Sequence, residues 1–340
     1  MKNTQIKAVV LAAGKGTRMK SVRAKVLHEL FFAPMLHHVI RAIAPLNLLE
    51  IVVVTGHQAE VVEKSLADFE VSFARQERQR GTADAVSAAE AGLADFRGTI
   101  LILCGDTPLV RTETLRAMLE AHRAAEAVLT VMTTRMDDPA NYGRIVTDQQ
   151  GDLLRIVEEK DASVAEKGIN EVNAGIYCVD SAFLFGGLRG IGSNNRQGEF
   201  YLTDLVEIAR AEGLAVNRHV CEESLEVLGI NSRVELAEAH AILQKRRNHQ
   251  LMTAGVTIIG PDSVDIALEV EIGADCEVGR NVLISGRTVI GRGCRIGPNT
   301  VIRDCRIGDG AVIGALCCLE NREVGMAAVL EDATIISGEG

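Results

Sequence analysis

Residues 271–314 read EIGADCEVGRNVLISGRTVIGRGCRIGPNTVIRDCRIGDGAVIG, and within them an aliphatic residue returns at a fixed step. Ile272, Val278, Ile284, Ile290, Ile296 and Ile302 stand six residues apart, and Ile307, Ile313 and Leu319 follow them. Glycine comes directly after Ile272, Val278, Ile290, Ile296, Ile307 and Ile313. A hexapeptide period of this form specifies a parallel β-helix, with one short strand per repeat and the aliphatic side chain pointing inward; three repeats close a triangular turn, giving about three coils. Ordinary sandwich strands carry no such fixed step. After about Ile313 the period gives way to CCLENREVGMAAVLEDATIISGEG, so the regular coil is expected to decay there. In this register Cys276 and Cys294 stack in neighbouring coils at about one strand spacing, ~4.8 Å. Packed thiols are expected rather than a disulfide.

Working back toward the N-terminus, the period changes to strand–helix alternation. IKAVVL, IVVVTG and TILILCGD read as buried strands, and Pro34–Leu46, Gln58–Phe69 and Thr82–Leu93 have helical spacing. Such alternation implies a mainly parallel sheet covered by helices on both faces. VLTVMTTR, GRIVTD and NAGIYCVD come with fewer helices and suggest a mixed-sheet elaboration. Glu235–Ala254 is a charged helical stretch ended by Gly255, a connector. The expected domains are therefore 1–234, a connecting helix over 235–255, and a β-helix over 256–340.

Composition narrows the function classes. Lys and Arg number 36 against 46 Asp and Glu, for a net charge of −10. This argues against a nucleic-acid partner, which normally meets a basic domain, and without Trp the chain has no stacking platform for single strands. No apolar run approaches the ~20 residues of a membrane span, and the N-terminus reads as a first strand rather than a leader. A cytoplasmic protein with no membrane partner is expected. The eight cysteines show no C-x-x-C spacing, which speaks against zinc and for reduced thiols. Residues 1–28 contain no acid, and Lys15, Arg18, Lys20, Arg23 and Lys25 crowd the segment after the first strand. A local basic cluster on an acidic chain focuses small anions.

That segment is Leu11-Ala12-Ala13-Gly14-Lys15-Gly16-Thr17-Arg18-Met19. It is neither a P-loop nor a complete dinucleotide fingerprint, and taken alone it is compatible with a tight turn. With Lys25-Val26-Leu27-His28, however, it resembles the signature of the nucleoside-diphosphate-sugar pyrophosphorylases. Gln76 with Gln79–Ala83, Gly105–Leu109, Asn141–Ile145, Ile156–Ala162, Asn173–Tyr177, Gln197–Asp204 and Gly229–Asn231 add an ordered set of segments from residue 6 to about 314. Together they resemble the bifunctional N-acetylglucosamine-1-phosphate uridyltransferases of bacterial cell-wall synthesis. The resemblance implies a Rossmann-like α/β nucleotidyltransferase domain with a mixed sheet, followed by a short left-handed parallel β-helix.

It also implies roles. Asp106 at the end of a buried strand and Asn231 would hold Mg²⁺, which takes few protein ligands. Arg18 and Lys25 would act on the triphosphate of UTP, and Leu11, Ala12, Ala13 and Gly14 would approach it through their backbone. Gln76, Gly81 and Thr82 would read the uracil, Gly81 by withholding a side chain that would block it. Gly143, Glu158 and Asn173 would hold N-acetylglucosamine-1-phosphate. The sugar phosphate is already an anionic nucleophile, so catalysis reduces to positioning and charge neutralisation, with no general base. His28, His37, His38 and His57 are read as packing or surface residues. Family members pair β-helix faces around a threefold axis, which implies a homotrimer.

Two departures accompany the likeness. Ala24 stands where the family has Pro before the motif lysine, freeing one backbone angle near Lys25. Phe32-Ala33-Pro34-Met35 follows Phe31 where the family has Ala-Gly-Lys-Pro-Met. The last histidine is His249, ahead of the β-helix, whereas the family's acetyltransferase site uses a histidine base with acetyl-CoA. Absence of that second activity is expected, in a piece of a longer chain or in a single-activity form. Other readings are a transferase for another sugar or base and a non-catalytic subunit on the same fold. A dehydrogenase is disfavoured by the missing third glycine.

Overall fold

The computed structural model describes residues 5–336. By internal packing the chain forms two compact units: the stretch up to His28 with Pro34–Ser232, and Glu29–Ala33 with Arg233 onward. The helix expected as a connector, Arg233–Thr253, belongs with the second unit, as does the short stretch Glu29–Ala33 far upstream of it.

The first unit is built on a nine-stranded sheet. Along its main path the order is Val216–Cys221, Leu129–Arg135, Glu171–Asp180, Thr99–Cys104, Ile6–Leu11, Glu50–Thr55 and Ser72–Arg75. Glu171–Asp180 runs antiparallel to both neighbours, and the other pairs on this path are parallel. The remaining strands, Arg144–Thr147 and Leu153–Val157, form a hairpin joined to Glu171–Asp180 at Val172. Successive residues of the central strands enter opposite cores. Ala8, Val10, Leu101 and Leu103 pack on one side, while Val9, Ile100 and Ile102 pack on the other. Near-continuous apolar runs are what burial on both faces requires.

The helices read from the sequence form at Met35–Ile43 and Ala59–Ser65. Thr82–Leu93 does not run unbroken: it splits into Thr82–Ser87 and Glu90–Leu93, because Ala89 N–H bonds Val86 at the tighter three-residue spacing. The sheet is also better covered than the later sequence suggested, by Thr112–Ala124, Ser181–Gly190 and Leu205–Ala211.

In the second unit, short parallel strands from Thr257 to Ile336 stack into three sheets of five, five and four. The coil therefore begins before Ile272 and continues past Ile313, and its stacking does not decay where the six-residue period does. The reason is a change of period. Eighteen residues separate Glu277 from its partner Arg295, but seventeen separate Arg295 from Val312. One corner is a residue shorter from Ile302–Ile307 onward, and again at Leu319–Val324. In addition, Arg322 takes the inward position that Thr288 and Cys305 hold in the coils before it. Cys317 is buried in the coil interior and Cys318 lies exposed in a strand, so neither belongs to a loosened tail. Cys276 and Cys294 are buried free thiols in adjacent coils, the Cys294 N–H lying 3.4 Å from Cys276 Sγ.

The glycine after each aliphatic residue has a steric cause. A Cβ on Gly297 would lie 2.5 Å from the Ala315 nitrogen of the next coil. The first coil is closed by the Arg233–Thr253 helix, whose buried Asn248 donates 2.8 Å bonds to the carbonyls of Pro261 and Val264. Phe31 and Phe32 form the turn of a two-stranded hairpin, Glu29–Leu30 with Ala33–Pro34, at φ 43° and 68°. Such a turn favours Asn-Gly. Here ring burial offsets the unfavourable backbone, since Phe31 is 2% exposed and stacks edge-on against His240.

Replacing Asn248 by Ala leaves the buried Val264 carbonyl without this donor, while the part-buried Pro261 carbonyl keeps the Val264 N–H. The β-helix transition in denaturant should weaken by about 1–3 kcal/mol. An unchanged midpoint would show that the Val264 carbonyl finds another donor.

Candidate active site

The order of strands reverses at Ile6–Leu11: Glu50–Thr55 and Thr99–Cys104 both follow it in the sequence but pair on its two opposite sides. At such a switch point the loops beyond the carboxyl ends diverge and leave a crevice. Here a cavity of about 380 Å³ opens between the glycine-containing loop and the end of Thr99–Cys104. Leu11, Ala13, Gly14, Arg18, Lys25, Gln76, Gly81, Thr82, Asp106 and Asn231 all line it. Ala12 does not. Its N–H bonds the Val54 carbonyl at 2.8 Å, and its methyl faces the core.

One pole of this cavity is electrostatic. Lys25 Nζ donates to Asp106 Oδ2 and, at 2.6 Å, to Asn231 Oδ1. Arg18 Nη2 donates to the same Asn231 oxygen at 2.7 Å. The Ile230 N–H bonds the Asp106 carbonyl at 2.9 Å, which ties the Gly229–Asn231 loop to the strand end carrying Asp106. Three segments distant in sequence thus meet at one point. Ala24, which has no ring to fix its backbone, nevertheless has φ −53°, within the range a proline would impose.

Asp106 and Asn231 offer one anionic and one neutral oxygen to a single cation, at present the Lys25 ammonium. Such a donor pair fits a small hard ion that keeps its other positions for phosphate and water. Among the described residues no group of three or more His, Cys, Asp or Glu could hold a metal.

At the other pole, Gln76 is buried, and its Nε2 donates to Asp84 Oδ2 at 2.8 Å and the Gly81 carbonyl at 3.3 Å. The absence of a Gly81 side chain has a different reason from the one expected. Gly81 has φ 123°, and a Cβ there would lie 2.4 Å from the Phe200 carbonyl oxygen, against the chain rather than in the cavity. Thr82 accepts the Leu202 N–H at 2.9 Å and does not cap its helix.

Gly143, Glu158 and Asn173 are outside this lining and form their own cluster. The Asn173 N–H bonds the Gly143 carbonyl at 2.8 Å, and a Cβ on Gly143 would be 3.4 Å from Glu158 Oε1. Asn173 Nδ2 donates to the Tyr177 hydroxyl at 2.7 Å across an irregularity in strand pairing. Burial raises the Glu158 carboxyl above its usual range; a Thr203 hydrogen bond opposes this, and Asp204, Asp161 and Glu199 reinforce it. Asp204 itself is pushed up to about 6, chiefly by burial. The two clusters meet through Cys104, which lines the cavity and lies 3.7 Å from the Gly175 carbonyl. Burial, with Asp106 nearby, pushes the Cys104 thiol up to about 12, so it is no thiolate nucleophile at neutral pH.

Sequence reading missed several contributors. Arg144, 2% exposed, binds Glu159 at 2.5 Å and holds the hairpin between Gly143 and Glu158. Gln197 joins Lys160 and Tyr201 at 2.6 Å each, which explains why two separate motifs occur together. Chain distance hides Arg144–Glu159 and Lys160–Gln197 from a local reading; Gln197 and Tyr201 are only four residues apart but lie outside any helix. No histidine lines the cavity; His28 and His38 are buried elsewhere, and His37 stacks on Phe69.

The nucleotidyl transferase family model matches residues 7–221. The model for six bacterial transferase hexapeptide repeats matches 269–304 and 287–321. The bifunctional protein GlmU of Desulfotalea psychrophila is 46% identical over 318 residues, covering 94% of this chain and 94% of that one. GlmU of Heliobacterium modesticaldum is 46% identical over 335 residues, covering 97% of this chain and 73% of that one. For GlmU of Geobacter metallireducens the identity is 48% over 297 residues, with coverage of 87% and 62%. A solved Bacillus anthracis protein, assigned as a glucose-1-phosphate thymidylyltransferase and complexed with sucrose, shares the fold at TM-score 0.56. Its identity is 22%, over 70% of this chain and 94% of that one. The chain belongs to the nucleotidyl transferase family, in the GlmU group of sugar-1-phosphate nucleotidyltransferases that carry a left-handed hexapeptide β-helix.

Proposed function

We propose that the chain transfers a uridylyl group from UTP to N-acetylglucosamine-1-phosphate, releasing pyrophosphate and supplying a cell-wall precursor. The observation that carries this reading is the convergence of Arg18, Lys25, Asp106 and Asn231 on one pole of the cavity, with Gln76 at the other. A triphosphate needs the first pole and a base the second. Gly143, Glu158 and Asn173 form the adjoining sugar site.

In this mechanism Arg18 and Lys25 neutralise phosphate charge, and the backbone of Leu11–Gly14 lets the phosphates approach closely. Glu158 accepts sugar hydroxyls and Asn173 orients the acetamido group. The phosphate oxygen of the sugar attacks the α-phosphorus directly, the bond to pyrophosphate breaks, and no proton need be removed. Asp106 and Asn231 would hold Mg²⁺, which when bound supplies positive charge to the reacting phosphates. No histidine occurs after His249, so no imidazole base is offered by the β-helix sequence given; acetyl transfer is not part of the proposed activity. The stacked coil faces are the proposed surface for a homotrimer.

Pyrophosphate release from UTP with N-acetylglucosamine-1-phosphate, set beside glucose-1-phosphate and TTP, tests the substrates. Asp106→Asn should lower turnover by about 100-fold or more while leaving the fold intact. A near-parental rate in limiting Mg²⁺ would remove Asp106 from the metal site, and a preference for another sugar would overturn the substrate assignment.

Glu158 binds hydroxyls as a carboxylate, so this binding is present above its raised pKa and lost as pH falls through it. As pH falls, the KM for the sugar phosphate should therefore begin to climb at a higher pH than an ordinary carboxylate would give, because burial raises the Glu158 carboxyl. Glu158→Gln should flatten that limb, and a flat parental profile would place Glu158 off the sugar.

Sedimentation over a range of concentrations should give a trimer, with dissociation on dilution if the contact is small. A monomer at every concentration would sink that part of the proposal.

A further inference from the structure

The chain enters the cavity through an exposed stretch, with Val22 89% exposed, and two residues later Ala24 is 1% exposed. One side chain spans that transition. Gln58 Oε1 accepts the Ala24 N–H at 2.7 Å, and Gln58 Nε2 donates to the Val22 carbonyl at 2.8 Å. Both ends of the carboxamide are therefore used on the backbone next to Lys25. Gln58 itself has φ 54°, a conformation that favours glycine, at the start of Ala59–Ser65. A non-glycine residue persists there only where its surroundings compensate.

We propose that Gln58 is a positioning residue: its carboxamide fixes the backbone around Ala24 and so delivers the Lys25 ammonium to Asp106 and Asn231. Ala24 has φ −53° and ψ 134°, close to the angles a proline would enforce. An alanine does not hold that φ by itself, and the bond to Gln58 does so here. The carboxamide also excludes the proline solution, because its oxygen occupies the place the ring carbon on nitrogen would need. The inference rests on the reading of Lys25 as a phosphate-site cation, but the clamp can be measured without it.

The test uses Gln58→Gly, which removes the carboxamide while giving φ 54° to a residue that adopts it freely. Amide exchange over residues 20–27 should speed up by about tenfold at Ala24, with no loss of melting temperature. In pyrophosphate release, kcat should fall by about fivefold to twentyfold, with the KM for the sugar phosphate changed by less than about twofold. Adding Ala24→Pro to Gln58→Gly should bring kcat back to within about threefold of the parent, because the ring restores φ in the vacated space. Ala24→Pro alone should be slower than the parent. Parental exchange or parental kcat in Gln58→Gly would overturn the proposal, and so would a double variant no faster than the single one. If the parent released no pyrophosphate with any sugar phosphate, the reaction reading would fall while the exchange result still decided the clamp.

Discussion

Everything about the site depends on bringing positive and negative groups together on oxygen atoms that a phosphate or a cation could also occupy. Lys25 supplies the centre of that arrangement. Its ammonium reaches Asp106 and Asn231 only because the strand end, the loop after the first strand and the Gly229–Asn231 segment all terminate at the same edge of the sheet. Partly buried opposite charges attract strongly, but each also loses water, so the geometry has to be held by neighbours. The Ile230–Asp106 backbone bond and the carboxamide of Gln58 are two such supports.

The same logic separates the two halves of the site. The proposed phosphate pole carries the cations Arg18 and Lys25, whereas the Glu158 cluster is acidic, with Asp204 and Asp161 nearby. Burial raises the Glu158 and Asp204 carboxyls, which softens the repulsion between them. Arg144 carries a charge almost entirely out of solvent, and its bond to Glu159 compensates for that. Two short strands with such an anchor give the Gly143–Glu158 pair a defined separation that loops alone would not.

Much of the frame was legible in the sequence because periodicity records burial directly. IKAVVL and TILILC read as strands buried on both faces, and the six-residue step identified the coil. What escaped notice was polar or short: Val216–Cys221 carries Asn217, Arg218 and His219, and gives no apolar alternation to detect. The proposed site rests on the resemblance, since nothing local in Asp106 or Asn231 distinguishes an oxygen that would face a metal from one in a turn. Gln58 left no signal at all, because its partner lies 34 residues away and its conformation ordinarily marks glycine. The period fades toward the end of the coil for a metric reason: the step shortens to five at Ile302–Ile307 and again at Leu319–Val324, so a fixed six-residue step drifts out of register.

That shortened corner bears on which insertions and deletions the β-helix can absorb. Between Ile302 and Ile307 the missing residue is taken from the bend, and Asp304 there already adopts φ 50°. The inward residues on either side remain stacked, Ile302 over Leu319 and Ile307 over Val324. Losing one residue from within a strand would instead turn every following side chain of that strand to the opposite face, bringing charge inside and aliphatic groups out. Length variation among related coils should accordingly concentrate at the three bends. The faces between them behave as a fixed reading frame.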